Sequence, residues 1–185
     1  LKGRFGRFVQ KVTLDTDGTV SFDPNGQFGD LAVGESRTTS YTYTLVDADG
    51  GTDTAVITVT VTGVNDRPVI VDPITKVPVT GVIDPTTGLP VDPTTGEPSQ
   101  PIGAQTGIDS QGGISIDVGS YVIDPDATDV LTFTATGLPD GLVIDPDTGV
   151  ITGTIDSSAS QGGTGGVYSV VVTVTDGHGG TLTLT

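Results

Sequence analysis

Carboxylates are the chemistry this chain carries in quantity. It has 23 acidic residues, of which 21 are Asp and only Glu35 and Glu97 are Glu, against 7 Lys and Arg, for a net charge of −16. Six of the seven basic residues (Lys2, Arg4, Arg7, Lys11, Arg37, Arg67) precede position 68 and the last is Lys76, so residues 77–185 hold thirteen carboxylates and no Lys or Arg. Clustered like charges with no counter-charge nearby repel unless a cation sits among them. The hard cation that prefers such oxygen ligands outside cells is Ca²⁺, which takes six to eight carboxylate and carbonyl oxygens. Asp124-Pro125-Asp126 has the spacing for this: two carboxylates at i and i+2 across a proline turn converge on one point. Isolated residues such as Asp140 and Asp156 read instead as turn formers, because a short carboxylate bonds the backbone two residues on.

Other chemistries are excluded by composition. With no Cys there are no disulfides, thiolate metal sites or Cys nucleophiles. His178 is the only His, no Ser or Cys is placed beside it by the pattern, and it reads as an exposed turn residue. A glycosidase needs two carboxylates and generally an aromatic-walled cleft, but the chain has five Phe, four Tyr and no Trp. No enzyme activity is expected. Nucleic-acid binding requires clustered Lys and Arg, which this chain lacks. No apolar run approaches the ~18–20 residues of a membrane span, and Leu1–Phe5 lacks a signal-peptide pattern. Val, Ile, Leu and Phe make up 28% of the chain, above the roughly 20% below which a charged sequence stays unfolded.

The elements that must hold the carboxylates are strands. Tyr41–Val46, Thr54–Thr62, Leu131–Thr136, Tyr168–Thr175 and Thr181–Thr185 alternate bulky apolar residues with Thr or Ser, the period-two signature of half-buried strands. No segment of eleven or more residues has helical periodicity, and Gly, Asp, Pro and Asn clusters separate the strands as in a β-sandwich. The fold class is therefore all-β.

The chain also repeats itself. Val46-Asp-Ala-Asp-Gly-Gly-Thr52 matches Thr175-Asp-Gly-His-Gly-Gly-Thr181, and Val12–Val20 matches Leu142–Ile151 with one residue inserted. Two modules are expected, 1–66 and 67–185, divided at Thr62-Gly-Val-Asn-Asp-Arg-Pro68. The second has a strand and an Asp cluster (124–136) ahead of the shared segment, whereas the first has about ten residues there. The first module is thus expected to lack its opening strands, as a truncated or split domain would. From about 79 to 113 runs a Pro/Gly/Thr-rich insertion with the near-duplicates Ile83-Asp-Pro-Thr-Thr-Gly-Leu-Pro90 and Val91-Asp-Pro-Thr-Thr-Gly-Glu-Pro98, read as a loop or short hairpin on a sandwich edge.

Four stretches carry a family resemblance. Ile144-Asp-Pro-Asp-Thr-Gly-Val-Ile-Thr152, preceded by Leu138-Pro-Asp-Gly-Leu142, is similar to the cadherin strand and turn of the form ID..TG.I. Tyr168-x-Val-x-Val-x-Val-x-Asp176 is similar to the cadherin Y.L.V.A.D strand. Asp124-Pro-Asp126 resembles the DxD motif, and Gly63-Val-Asn-Asp-Arg-Pro68 resembles the DxNDNxP linker. Together they resemble the bacterial cadherin-like and VCBS-type tandem repeats of large secreted RTX-type adhesins.

That resemblance implies tandem cadherin-like, immunoglobulin-like Greek-key β-sandwiches with Ca²⁺ between consecutive modules. Carried over by motif, Asn65 and Asp66 would be linker ligands, with the Arg67 carbonyl a backbone ligand. Asp124, Asp126 and Asp176 would serve the same site. Glu35 falls at the Glu of the family's DRE motif. Asp47 is the copy of Asp176 and would serve the preceding junction, while Asp49 and Asp129 would at most assist. Gly63 and Arg67 replace two linker ligands, so one or two ions are expected rather than three. The implied role is a calcium-stiffened extender of a bacterial surface adhesin. It would be extracellular and monomeric, with neighbouring modules of the same polypeptide as partners and an inserted ligand-binding domain as a further one. The alternative is a sugar- or peptide-binding module that uses the 79–113 insertion.

Overall fold

The structure, a computed structural model, describes residues 11–15, 17–76, 78–79 and 102–185. Twelve strands and two single-turn 3-10 helices are found among the described residues, so the molecule is all-β. The chain divides into two units. Unit 1 comprises Leu1–Asn65 with Asp126–Thr128, and unit 2 comprises Asp66–Pro125 with Asp129–Thr185. Among the described residues no helix is long and apolar enough to cross a membrane.

Unit 1 is built from two hairpins. β1 (Lys11–Leu14) pairs antiparallel with β2 (Val20–Asp23). β3 (Ser36–Val46) and β4 (Thr52–Thr62) form an eleven-residue antiparallel pair. The register explains the Thr alternation. Thr38 lies opposite Thr60 and Ser40 opposite Thr58, with hydroxyls 3.2 and 3.3 Å apart on the exposed face, while Tyr41, Tyr43, Ile57 and Val59 point to the partly buried one. The segment between β2 and β3 buries Phe28, Leu31 and Ala32. Phe28 meets Phe22 edge-on at 6.0 Å, and the Arg37 guanidinium lies 5.7 Å over its ring. Arg37 also forks onto Asp30 (3.1 and 2.7 Å), and that bond holds the Asp30 carboxyl below its ordinary range.

Unit 2 has two three-stranded antiparallel sheets and a short ribbon. In the first sheet β10 (Val150–Gly153) lies between β6 (Ile114–Asp117) and β9 (Leu142–Ile144). In the second β11 (Val171–Thr175) lies between β12 (Thr181–Leu184) and β8 (Thr132–Thr136). β5 (Val69–Ile70) and β7 (Val122–Ile123) form the ribbon. One apolar cluster takes Ile151 from the first sheet, Phe133, Val172, Val174, Leu182 and Leu184 from the second, and Ile70 and Val122 from the ribbon. Side chains of two sheets sharing one core define a sandwich.

The expected strands are present with shifted ends. β3 begins at Ser36, five residues before the alternation becomes apolar at Tyr41, because the register with β4 extends to Thr62. β11 begins at Val171 rather than Tyr168, whose hydroxyl is drawn to the Ala159 carbonyl at 3.0 Å. Most of the insertion, residues 80–101, lies outside the described residues. Its last part, 102–113, holds no strand, and Ile102 packs against the core of unit 2.

Candidate metal centre

Two Asp residues on strand-connecting turns have the same local geometry. In the β3–β4 turn, Asp47 Oδ1 accepts from the amides of Asp49 (3.0 Å) and Gly51 (2.7 Å), while the Asp47 amide donates to the Gly51 carbonyl at 2.9 Å. In the β11–β12 turn, Asp176 Oδ1 accepts from His178 (2.7 Å) and Gly180 (3.0 Å), and its amide donates to the Gly180 carbonyl at 3.3 Å. The sequence repeat is therefore a repeat of structure. In each copy one carboxylate oxygen is committed to closing the turn. They differ in burial, Asp176 being buried and Asp47 exposed.

The loop that leads into β8 carries the cluster. One carboxylate oxygen each of Asp124, Asp126 and Asp129 lie within 4.8 Å of one another. Asp126 is only 1% exposed, and the Asp129 side chain is likewise 1% exposed. Asp129 Oδ2 lies 2.9 Å from His178 Nδ1, whereas Asp129 Oδ1 is a buried acceptor that receives no hydrogen bond. Asp124 and Asp126 are thus brought together as their spacing required. Asp129, expected at most to assist, is a full member, and His178, read as a bare turn residue, touches the cluster through it. The signal for Asp129 was its distance of three residues from Asp126, within reach across one turn.

The other expected ligands have their own settings. Glu35 Oε2 accepts from the Ala32 amide (3.1 Å), closing a local bend, and Oε1 accepts from the Thr128 hydroxyl (3.3 Å), two residues beyond Asp126 in the sequence. Asn65 has its Oδ1 buried, while Asp66 and Arg67 are exposed, and the Arg67 Cα lies against Gly180. Of the isolated carboxylates, Asp156 is a turn former as expected: its Oδ1 accepts from the Ser158 amide (2.8 Å) and hydroxyl (2.6 Å).

The donor set suits a hard divalent cation. It is all oxygen, it is anionic, and it includes a buried lone pair with no donor, which is costly to leave unsatisfied. At this spacing each pair of ionised carboxylates repels by on the order of 3 kcal/mol at an effective dielectric near 20. No Lys or Arg between 77 and 185 is available to relieve it locally. Unit 2 also has a groove of about 1360 Å³ whose lining includes Ile102, Ile114, Leu138, Ile155, Tyr168 and Leu184. Its walls reach to core side chains such as Val172 and Ile151, so they argue for packing more than for recognition.

Strands of two antiparallel sheets around one apolar core, connected by Asp-rich turns and preceded by a partial copy of the same pattern, define a tandem immunoglobulin-like module. The chain belongs to the family described as Putative Ig domain, whose model matches residues 73–185, and residues 6–60 match the model described as Bacterial Ig domain. Both descriptions are coarser than the cadherin-like and VCBS-type repeats to which the motifs point. The comparison with curated proteins gave no match.

Proposed function

We propose that this chain is a calcium-stabilised extender of a large bacterial surface adhesin, a non-enzymatic spacer whose modules present ligand-binding domains away from the cell. The observation that carries the reading is the convergence of Asp124, Asp126 and Asp129 within 4.8 Å, with Asp126 and the Asp129 side chain buried and Asp129 Oδ1 lacking a donor. Asp124, Asp126 and Asp129 would hold the ion. Asn65, Asp66, the Arg67 carbonyl and Asp176 are the further ligands that the family resemblance implies, and backbone carbonyls and water would complete the six to eight oxygens Ca²⁺ takes. When bound, the ion would supply positive charge among carboxylates for which residues 77–185 provide no Lys or Arg, and would cross-link turns that otherwise repel. With a site Kd near ~10⁻⁴ M, as in many extracellular modules, ~1 mM Ca²⁺ stabilises by roughly 1.4 kcal/mol per ion. An effect of that size decides whether a loop is ordered.

Calorimetric titration of the full chain with Ca²⁺, with Mg²⁺ as control, tests the reading. Binding in the ~10⁻⁵–10⁻³ M range, abolished in Asp126→Asn and weakened in Asn65→Ala and Asp66→Ala, is expected. Heat of Ca²⁺ binding that Asp126→Asn leaves unchanged would overturn the assignment. A sugar- or peptide-binding role for the 79–113 insertion has less behind it, since that segment contains no aromatic residue to stack on a ligand.

A further inference from the structure

Strand register brings the β11–β12 turn to the loop that leads into β8. β11 pairs antiparallel with β8, and Thr175 lies opposite Thr132. His178 stands three residues after Thr175, and Asp129 three residues before Thr132. The same register, carried beyond the strand ends, therefore sets His178 and Asp129 opposite each other, as a cross-strand pair would be. Their side chains close the gap, with His178 Nδ1 2.9 Å from Asp129 Oδ2. The turn is fixed from behind, because the His178 and Gly180 amides both donate to Asp176 Oδ1 (2.7 and 3.0 Å). Its positive φ values fall on Gly177 and Gly179 rather than on His178, so the side chain at 178 can be exchanged without backbone strain.

The hydrogen bond has one polarity. An ionised carboxylate only accepts, so the proton between the two groups sits on Nδ1 and the imidazole is the donor. The His178 side chain is 46% exposed and that of Asp129 1%, so the ring reaches from the surface onto a buried carboxylate. Engaging Oδ2 leaves Oδ1, the buried acceptor that receives no hydrogen bond, as the oxygen to meet a cation. It also removes Nδ1 as a ligand, which keeps the donor set all oxygen and suits Ca²⁺ better than an ion that favours imidazole, such as Zn²⁺. In the other copy of this turn the matching residue is Asp49, which when ionised has no proton to donate to a carboxylate. The pair is therefore a property of this turn and not of the repeat.

We infer that His178 is a positioning residue of the candidate metal centre. By donating from Nδ1 to Asp129 Oδ2 it holds that carboxylate with Oδ1 toward the cation, and it is not itself a ligand. The inference rests on the calcium reading proposed above for Asp124, Asp126 and Asp129. Without the imidazole, the Asp129 carboxylate can turn about its Cβ–Cγ bond and present either oxygen, so it has to be ordered at the moment of binding. Hydrogen bonds behind a ligating group fix its orientation, and losing one costs about 10–100-fold in metal affinity.

Calorimetric titration of the full chain with Ca²⁺ tests it. His178→Ala should weaken binding by about tenfold or more. His178→Asn, whose amide nitrogen can donate in place of Nδ1, should restore most of the loss. A role confined to the fold of the turn would lower the melting temperature in EDTA and leave the Kd of the folded chain unchanged, and that result would overturn the inference. His178 is the chain's only His, so proton–nitrogen correlation spectroscopy reads its ring without ambiguity. A proton on Nδ1, shifted or lost in Asp129→Ala, is expected, and a proton on Nε2 alone would count against the pair. Zn²⁺ binding that is tighter than Ca²⁺ binding and abolished in His178→Asn would also overturn it, by making the imidazole a ligand. If the parent chain gave no heat with Ca²⁺, both this inference and the calcium reading would fall. Ca²⁺ binding that Asp126→Asn abolishes and His178→Ala leaves unchanged would sink this inference alone.

Discussion

At the scale of single residues, the Asp side chains do two different things, and their partners separate the two. Asp145 is a turn former: the amides of Thr148 (2.8 Å) and Asp147 (3.0 Å) bond its Oδ1, and the Thr148 bonds first of all hold its carboxyl below the ordinary range. Asp72 and Asp156 are held down in the same way, Asp72 first by the Thr75 amide and Asp156 first by the Ser158 hydroxyl. Because the folded value lies below the unfolded one of about 3.9, each contributes stability above that pH and loses it as pH falls through the folded value. Asp145→Asn should therefore be less stable than the parent chain at pH 7, and the difference should shrink steadily below about pH 4, read by urea midpoints across a pH series. Asp129 belongs to the other kind. Asp129→Asn removes one repelling charge, so in EDTA its melting temperature should equal or exceed that of the parent chain. In millimolar Ca²⁺ it should lose most of the roughly 1.4 kcal/mol expected per ion. A parallel drop in both conditions would mark Asp129 as merely structural.

At the scale of elements, the strands that alternate cleanly were legible and the ones that do not were missed. β3, β4, β8, β11 and β12 announce themselves by Thr or Ser on one side and Val, Ile, Leu, Phe or Tyr on the other, which is the pattern of a strand with one wet face. β6, with Ile-Ser-Ile-Asp, and the two-residue β5 and β7 are too short for a period to stand out, and only pairing with β10 and with each other makes them strands. The metal-site candidates were legible in part for the same reason. Asp124 and Asp126 stand two residues apart across a proline, whereas Asp129 lies three residues further on, a separation that is within reach but that only the path of the loop turns into a contact. Packing around the turn into β10 gives a sharp test. Gly149 has φ +70°, and a Cβ there would lie 2.8 Å from the Phe133 ring and 3.0 Å from the Gly119 amide nitrogen. Gly177 has a similar φ of +81° with nothing within 4 Å. Gly177→Ala should cost about 1 kcal/mol, the backbone penalty alone, while Gly149→Ala should cost about 2–4 kcal/mol because overpacking adds to it. Denaturant midpoints at constant slope would show the gap, and equal costs would mean that Phe133 yields without strain.

For the whole molecule, the net charge of −16 works against any compact state, and ordinary salt should relieve part of that repulsion without reference to any site. A general screening effect and a bound ion are told apart at matched ionic strength. Na⁺ and Mg²⁺ should raise the melting temperature through screening, in the parent chain and in the Asp126→Asn variant alike. Ca²⁺ should add a further rise in the parent chain only. Hydrogen exchange locates that increment. The loop 124–129 and the neighbouring β8 and β11–β12 turn should gain protection, because Asp129 is tied to His178 on that turn. The β1–β2 hairpin should not, since Asp124, Asp126 and Asp129 all lie outside it. Should Ca²⁺ protect both hairpins of unit 1 as strongly as the 124–129 loop, the ion would be acting as a diffuse counter-charge. The carboxylate cluster would then be turn chemistry and nothing more.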